Sequence, residues 1–119
     1  MDISLDKSTA GWVPRRSMKE RRMEFTMTSL SGNLWALGGT YKDSYSNTLE
    51  MYDPNTDTWT TKSTYPVRIW RHCTVADHEN NRLYTMGGDY AYDKGKHVGI
   101  WNRVYYYNVC IKWYTVMGV

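Results

Sequence analysis

Leu34-Trp35-Ala36-Leu37-Gly38-Gly39 is answered 49 residues later by Leu83-Tyr84-Thr85-Met86-Gly87-Gly88. Each is a short run of apolar and aromatic residues that ends in a glycine pair. The run reads as a buried strand, and the pair as a sharp exit, because glycine takes positive φ freely and lets a neighbouring backbone come close. A fixed period near 50 residues marks a repeat architecture rather than two unrelated strands.

Working outward, more of the unit recurs. An arginine, Arg22 or Arg71, stands sixteen residues before each glycine pair, and a Thr-, Met- and Val-containing stretch leads from it to a turn at Ser31-Gly32-Asn33 or Asn80-Asn81. That is the signature of a hairpin. Downstream, Thr48-Leu49-Glu50-Met51-Tyr52 precedes the turn Asp53-Pro54-Asn55-Thr56-Asp57, and Trp59 opens a fourth strand. In the second unit Asn102-Arg103-Val104-Tyr105-Tyr106 and Trp113-Tyr114-Thr115-Val116 fill these places, with the seven-residue step from Tyr52 to Trp59 repeated from Tyr106 to Trp113. Trp12 stands before Arg22 much as Trp59 stands before Arg71, which predicts the last strand of a preceding unit. The expected division is 1–16 for that strand's end, 17–62 for the first repeat and 63–119 for the second, with a longer loop at about 89–101.

These residues resemble the kelch repeat, on Arg22, Gly38-Gly39, Tyr52-Asp53-Pro54-Asn55-Thr56 and Trp59, and again on Arg71, Gly87-Gly88, Tyr106 and Trp113. The second copy departs from the pattern at Tyr107-Asn108-Val109, which stands where Asp53-Pro54-Asn55 stood. The resemblance implies an all-β fold, about two four-stranded antiparallel blades of a β-propeller plus a flanking strand. Each blade has two apolar faces, so stability requires neighbours around an axis. Two blades predict a fragment, a truncated product or an obligate oligomer, with further blades in the same or another chain needed to close the ring.

The signature residues themselves read as architecture: glycines for the turn, Trp59 and Trp113 as plates between sheets, and Pro54 to pre-set a bend. Recognition then falls to loops. The resemblance places a bound partner on the face made by the loops before each arginine strand and after each glycine pair. There Arg22 and Arg71 occupy the family's basic contact position, followed by Tyr41, Lys42, Asp89, Tyr90 and Tyr92. Guanidinium forks and rigid tyrosines suit an acidic or polar peptide. For Arg22 and Arg71 the competing reading is structural, as donors to backbone carbonyls that hold the ring. For the loop from Asp89 to Trp101 it is a solvated hairpin extension.

Composition supports a folded β protein: 41% hydrophobic and 15% aromatic residues, with six Trp and eleven Tyr, types that favour pleated, half-buried surfaces. A net charge of +3, with basic and acidic residues interleaved, gives no field for nucleic acid. No apolar run is long enough to span a bilayer. Two cysteines without a CxxC pair or an apolar leader point to a reducing setting, cytoplasmic or nuclear.

For chemistry the candidates are thin. His72, His78, His97, Cys73 and Cys110 have no zinc or copper spacing, and Cys73 beside His72 on a strand points to the opposite face. No cofactor or metal is expected, and the chain reads as a non-catalytic protein-binding module, a recognition or scaffold surface. In the kelch family such repeats often follow a BTB domain and bring targets to a cullin ubiquitin ligase, or bind actin. The other class in view is a fragment of a propeller oxidase, epimerase or lyase whose catalytic residues lie outside this chain.

Overall fold

The computed structural model describes residues 11–93 and 96–110, and the backbone of 113–117. Among them there is no helix, and every strand pair is antiparallel. The first repeat runs β1 (Thr26–Leu30), β2 (Asn33–Leu37), β3 (Thr40–Tyr41), β4 (Ser44–Tyr45), β5 (Thr48–Asp53) and β6 (Thr58–Thr64). Of these, β1-β2-β5-β6 form one sheet in that order, while β3 and β4 make a small hairpin.

The second repeat runs β7 (Arg68–Trp70), β8 (Cys73–Asp77), β9 (Arg82–Met86), β10 (Asp89–Ala91), β11 (His97–Ile100), β12 (Val104–Asn108) and β13 (Trp113–Met117). Its main sheet is ordered β13-β12-β9-β8, the same plan as the first, and β11-β10-β7 form a third, three-stranded sheet. The expected four-stranded units are therefore present twice.

Local chemistry explains the turns. Ser31 and Gly32 both take positive φ between β1 and β2, as does Asn81 between β8 and β9. Asp53 accepts the Asn55 N–H at 2.9 Å, fixing the bend through Pro54, as an Asx turn does. The strand expected at Trp12 is not formed; residues 11–22 run without strand pairing, since no neighbouring strand of the described chain is there to pair with it. Residues 1–10 of the expected preceding unit lie outside the described residues.

Pairing across the sheets corrects the equivalence of the two repeats by one residue. In the first sheet Leu34 faces Tyr52, and Tyr52 faces Trp59. In the second, Leu83 faces Tyr107, and Tyr107 faces Tyr114. Tyr107 and Tyr114, rather than Tyr106 and Trp113, hold the places of Tyr52 and Trp59. Both pairs have the same seven-residue step, so spacing did not separate them, yet one residue decides which face of a sheet a side chain takes. Tyr107 is buried against Trp35, ring centres 5.7 Å apart. Tyr106 sits on the opposite face, half-buried beside Tyr84 with the Arg82 guanidinium 4.5 Å over its ring.

The extra residue lies in the loop. The Ser46 N–H donates to Gly39 O, and the Trp101 N–H donates to Gly88 O. The same closure thus takes seven residues in the first repeat (46 − 39) and thirteen in the second (101 − 88). An insertion of six residues follows Gly87-Gly88, and it lengthens the short β3–β4 type of hairpin (40–45) into the longer β10–β11 hairpin (89–100).

The core is the contact between the two main sheets. Trp35, Leu37 and Leu49 of the first pack against Leu83, Tyr105 and Tyr107 of the second. Burying one ring the size of Trp35 contributes about 5 kcal/mol by area. Chain entering each repeat lies over one face of its sheet. Tyr65 packs edge-on to Tyr105 and accepts the Trp101 indole N–H at 3.1 Å. In the first repeat Arg15 donates to the Tyr52 hydroxyl and to Pro54 O, both at 2.8 Å. These contacts lay polar groups over the Tyr52 face of the first sheet.

Candidate functional site

The two arginines at equivalent positions have opposite fates. Arg22 is drawn inside the first repeat. Its guanidinium donates to Gly38 O at 2.8 Å and Thr48 O at 3.0 Å, and pairs with Glu50 at 2.7 Å, with both side chains 0% exposed. Glu50 also accepts the Lys19 N–H at 2.8 Å, and Glu20 accepts the Thr48 and Ser46 hydroxyls. A guanidinium so enclosed has no free edge for a partner, so Arg22 drops out of the contact surface expected from the sequence. The reason is Glu50, an acid on a strand whose neighbours are apolar, which needs a cation beside it.

In the second repeat the residue in register with Glu50 is Tyr105, since Ala36 faces Glu50 and Thr85 faces Tyr105. Without that acid Arg71 turns outward. Its side chain is 58% exposed, and it meets Asp89 at 2.7 Å and Glu24 at 3.7 Å. Asp89 also holds His97 at 3.1 Å. Arg71, Asp89 and the hairpin after Gly87-Gly88 thus come together, as the sequence grouped them.

The remaining expected residues fall on the two hairpins. Tyr41 lies at the tip of β3–β4, where Arg21 donates to its hydroxyl at 3.1 Å and the charges of Arg21 and Lys42 sit 5.7 and 5.4 Å from its ring. Tyr90 packs its ring at a tilt against Trp101, ring centres 4.8 Å apart, and meets Tyr92 edge-on at 5.6 Å. Tyr92 is 71% exposed, and burial pushes the Tyr90 phenol above its ordinary pKa. Lys94 and Gly95 of this loop lie outside the described residues, as does the Trp113 side chain.

Beside the first hairpin runs a groove of about 430 Å³, lined by Glu20, Arg21, Tyr41, Ser44, Tyr45 and Arg68 among others. Arg68 donates to Tyr45 O at 2.9 Å. Tyr45, Arg68 and Trp70 were not singled out in the sequence, because their juxtaposition joins one repeat's hairpin to the next repeat's entering strand. For Glu50 a signal was present: an acid between Leu49 and Met51 in a strand otherwise read as buried.

The glycine pairs hold this face together. The Gly39 N–H donates to Ile69 O at 2.7 Å, and a Cβ on Gly38 would collide with that same carbonyl. A Cβ on Gly88 would lie 2.6 Å from Trp70 O. His72 is packed between the repeats, its Nε2 3.0 Å from the Thr26 hydroxyl. Burial pushes its pKa from 6.5 down to about 4. Among the described residues no three His, Cys, Asp or Glu side chains are grouped to hold a metal ion, and Cys73 and Cys110 are free and exposed.

Comparison with known proteins agrees with this geometry. Residues 21–64, from Arg21 through the end of β6, match the family model described as Kelch motif. Kelch-like protein 38 of Danio rerio is 35% identical over 75 residues, covering 59% of this chain and 13% of that protein. Kelch-like protein 26 of Mus musculus is 34% identical over 77 residues, covering 65% and 12%. Kelch-like protein 33 of Homo sapiens is 26% identical over 83 residues, covering 70% and 15%. The match therefore spans a small fraction of these relatives' own length. Two four-stranded antiparallel sheets of one plan, each closed by a glycine pair, are β-propeller blades, and the first of them carries a Kelch motif.

Proposed function

We propose that this chain is a protein-binding kelch module, and that its contact face is made by the β3–β4 hairpin, its groove and the inserted β10–β11 hairpin. The observation that carries this reading is the groove of about 430 Å³ bordered by the Arg21 and Arg68 guanidinium groups and by Tyr41, Tyr45 and Ser44. Planar donors and rigid rings beside a concave surface suit a short acidic segment of another protein. Arg71 extends the basic edge toward the inserted hairpin, where exposed Tyr92 adds contact area.

Such a surface serves as the recognition part of a larger assembly in the cytoplasm or nucleus, as a ubiquitin-ligase adaptor or a scaffold. The likeness to kelch-like proteins supports the protein-binding part of this reading. The test is fluorescence polarisation against a library of acidic and charge-neutral peptides of matched length. Acidic peptides should be retained selectively, and Arg21→Ala should weaken them at least several-fold. Equal binding of neutral peptides, or indifference to Arg21→Ala, would overturn the assignment of this face.

A further inference from the structure

Trp70 stands between the two hairpins and touches both. The Tyr45 ring of the first hairpin lies flat on it, ring centres 3.8 Å apart and planes within 3°. From the inserted hairpin the His97 ring meets it at 5.5 Å, steeply tilted at 63°. The indole is 4% exposed, so these contacts are packed rather than incidental.

The backbone beneath is held as firmly. Ile69 O accepts the Gly39 N–H from the first glycine pair, and the Ile69 N–H donates to Ser46 O at 3.1 Å. On the other side Trp70 pairs with Asp89, and Gly88 lies so close that a Cβ there would be 2.6 Å from Trp70 O. Strand β7 is thus clipped to the first repeat's hairpin while serving as the edge of the inserted hairpin's sheet.

We infer that Trp70 is a positioning residue that makes the two hairpins one recognition surface, so that a partner displacing Tyr45 also moves the inserted hairpin. This rests on the reading that these hairpins form the contact face. Close-packed side chains transmit displacement because there is no free volume to absorb it. The chain Tyr45, Trp70, His97, Asp89, Arg71 is contiguous from the groove to the exposed arginine.

The test is amide hydrogen exchange on the full chain, which uses no partner and so stands or falls apart from peptide capture. Tyr45→Leu should speed exchange of the amides at 97–100 about threefold, the size expected for one lost aromatic pair, and His97→Ala should do the same at 44–46. Neither should alter the amides of Tyr105 and Tyr107. In a Trp70→Leu background both cross-effects should vanish. Effects confined to the hairpin that carries the substitution would overturn the coupling. So would a uniform rise that includes Tyr105 and Tyr107, which is the mark of a merely structural residue. If Trp70→Leu does not fold, the reciprocal pair of single variants still decides.

Discussion

The Arg22 guanidinium meets the Glu50 carboxylate at 2.7 Å with neither side chain exposed to solvent. Removing one member of such a pair leaves the other as an uncompensated buried charge, at a cost of about 3–5 kcal/mol. Arg22→Ala should therefore lower the urea midpoint by a large margin, and Glu50→Gln should also lower it. A loss below about 1 kcal/mol would mean that water reaches the pair.

Arg71 should behave in the opposite way. Its ion pairs with Asp89 and Glu24 are partly solvated, and exposed pairs contribute only about 0–1 kcal/mol. Arg71→Ala is expected to leave the thermal melt nearly unchanged while weakening capture of acidic peptides. A collapsed melt with peptide capture retained would assign Arg71 to the framework.

How much of this was legible depended on whether a signal was local. The glycine pairs, the Asp53-Pro54 turn and the four-strand plan sit within one repeat, and their residue types dictate their geometry. The equivalence of Tyr106 with Tyr52 failed because Tyr105-Tyr106-Tyr107 offers three like residues in a row, and only hydrogen-bond register distinguishes them. Arg22 and Arg71 looked alike because the residue that separates them lies on a distant strand: Glu50 in one repeat, Tyr105 in the other. Trp70 carried no motif at all, since its role arises where one repeat's hairpin meets the next repeat's first strand.

The glycine pairs differ in tolerance, and this can be ranked. Gly87 and Gly88 both have positive φ, at 72° and 88°, which costs an L-residue about 1–2 kcal/mol. Around Gly87 there is open space, whereas a Cβ on Gly88 would meet Trp70 O and the His72 backbone within 3 Å. Gly88→Ala should thus destabilise clearly more than Gly87→Ala in chemical denaturation. Equal losses would show that φ alone matters and that the contact with Trp70 relaxes freely.

His72 predicts a pH dependence. Burial between the repeats lowers its pKa from 6.5 to about 4, so the folded chain keeps the ring neutral where the unfolded chain takes up a proton. The stabilisation is fully present above pH 6.5 and is lost as pH falls from there toward 4. Over that window the loss reaches about 3 kcal/mol for a shift of this size. His72→Gln removes the titrating group, so its stability should fall less steeply between pH 7 and pH 4.5 than that of the unaltered chain, carboxylates being common to both. Parallel pH profiles would mean that the ring is protonated in place without prising the two sheets apart.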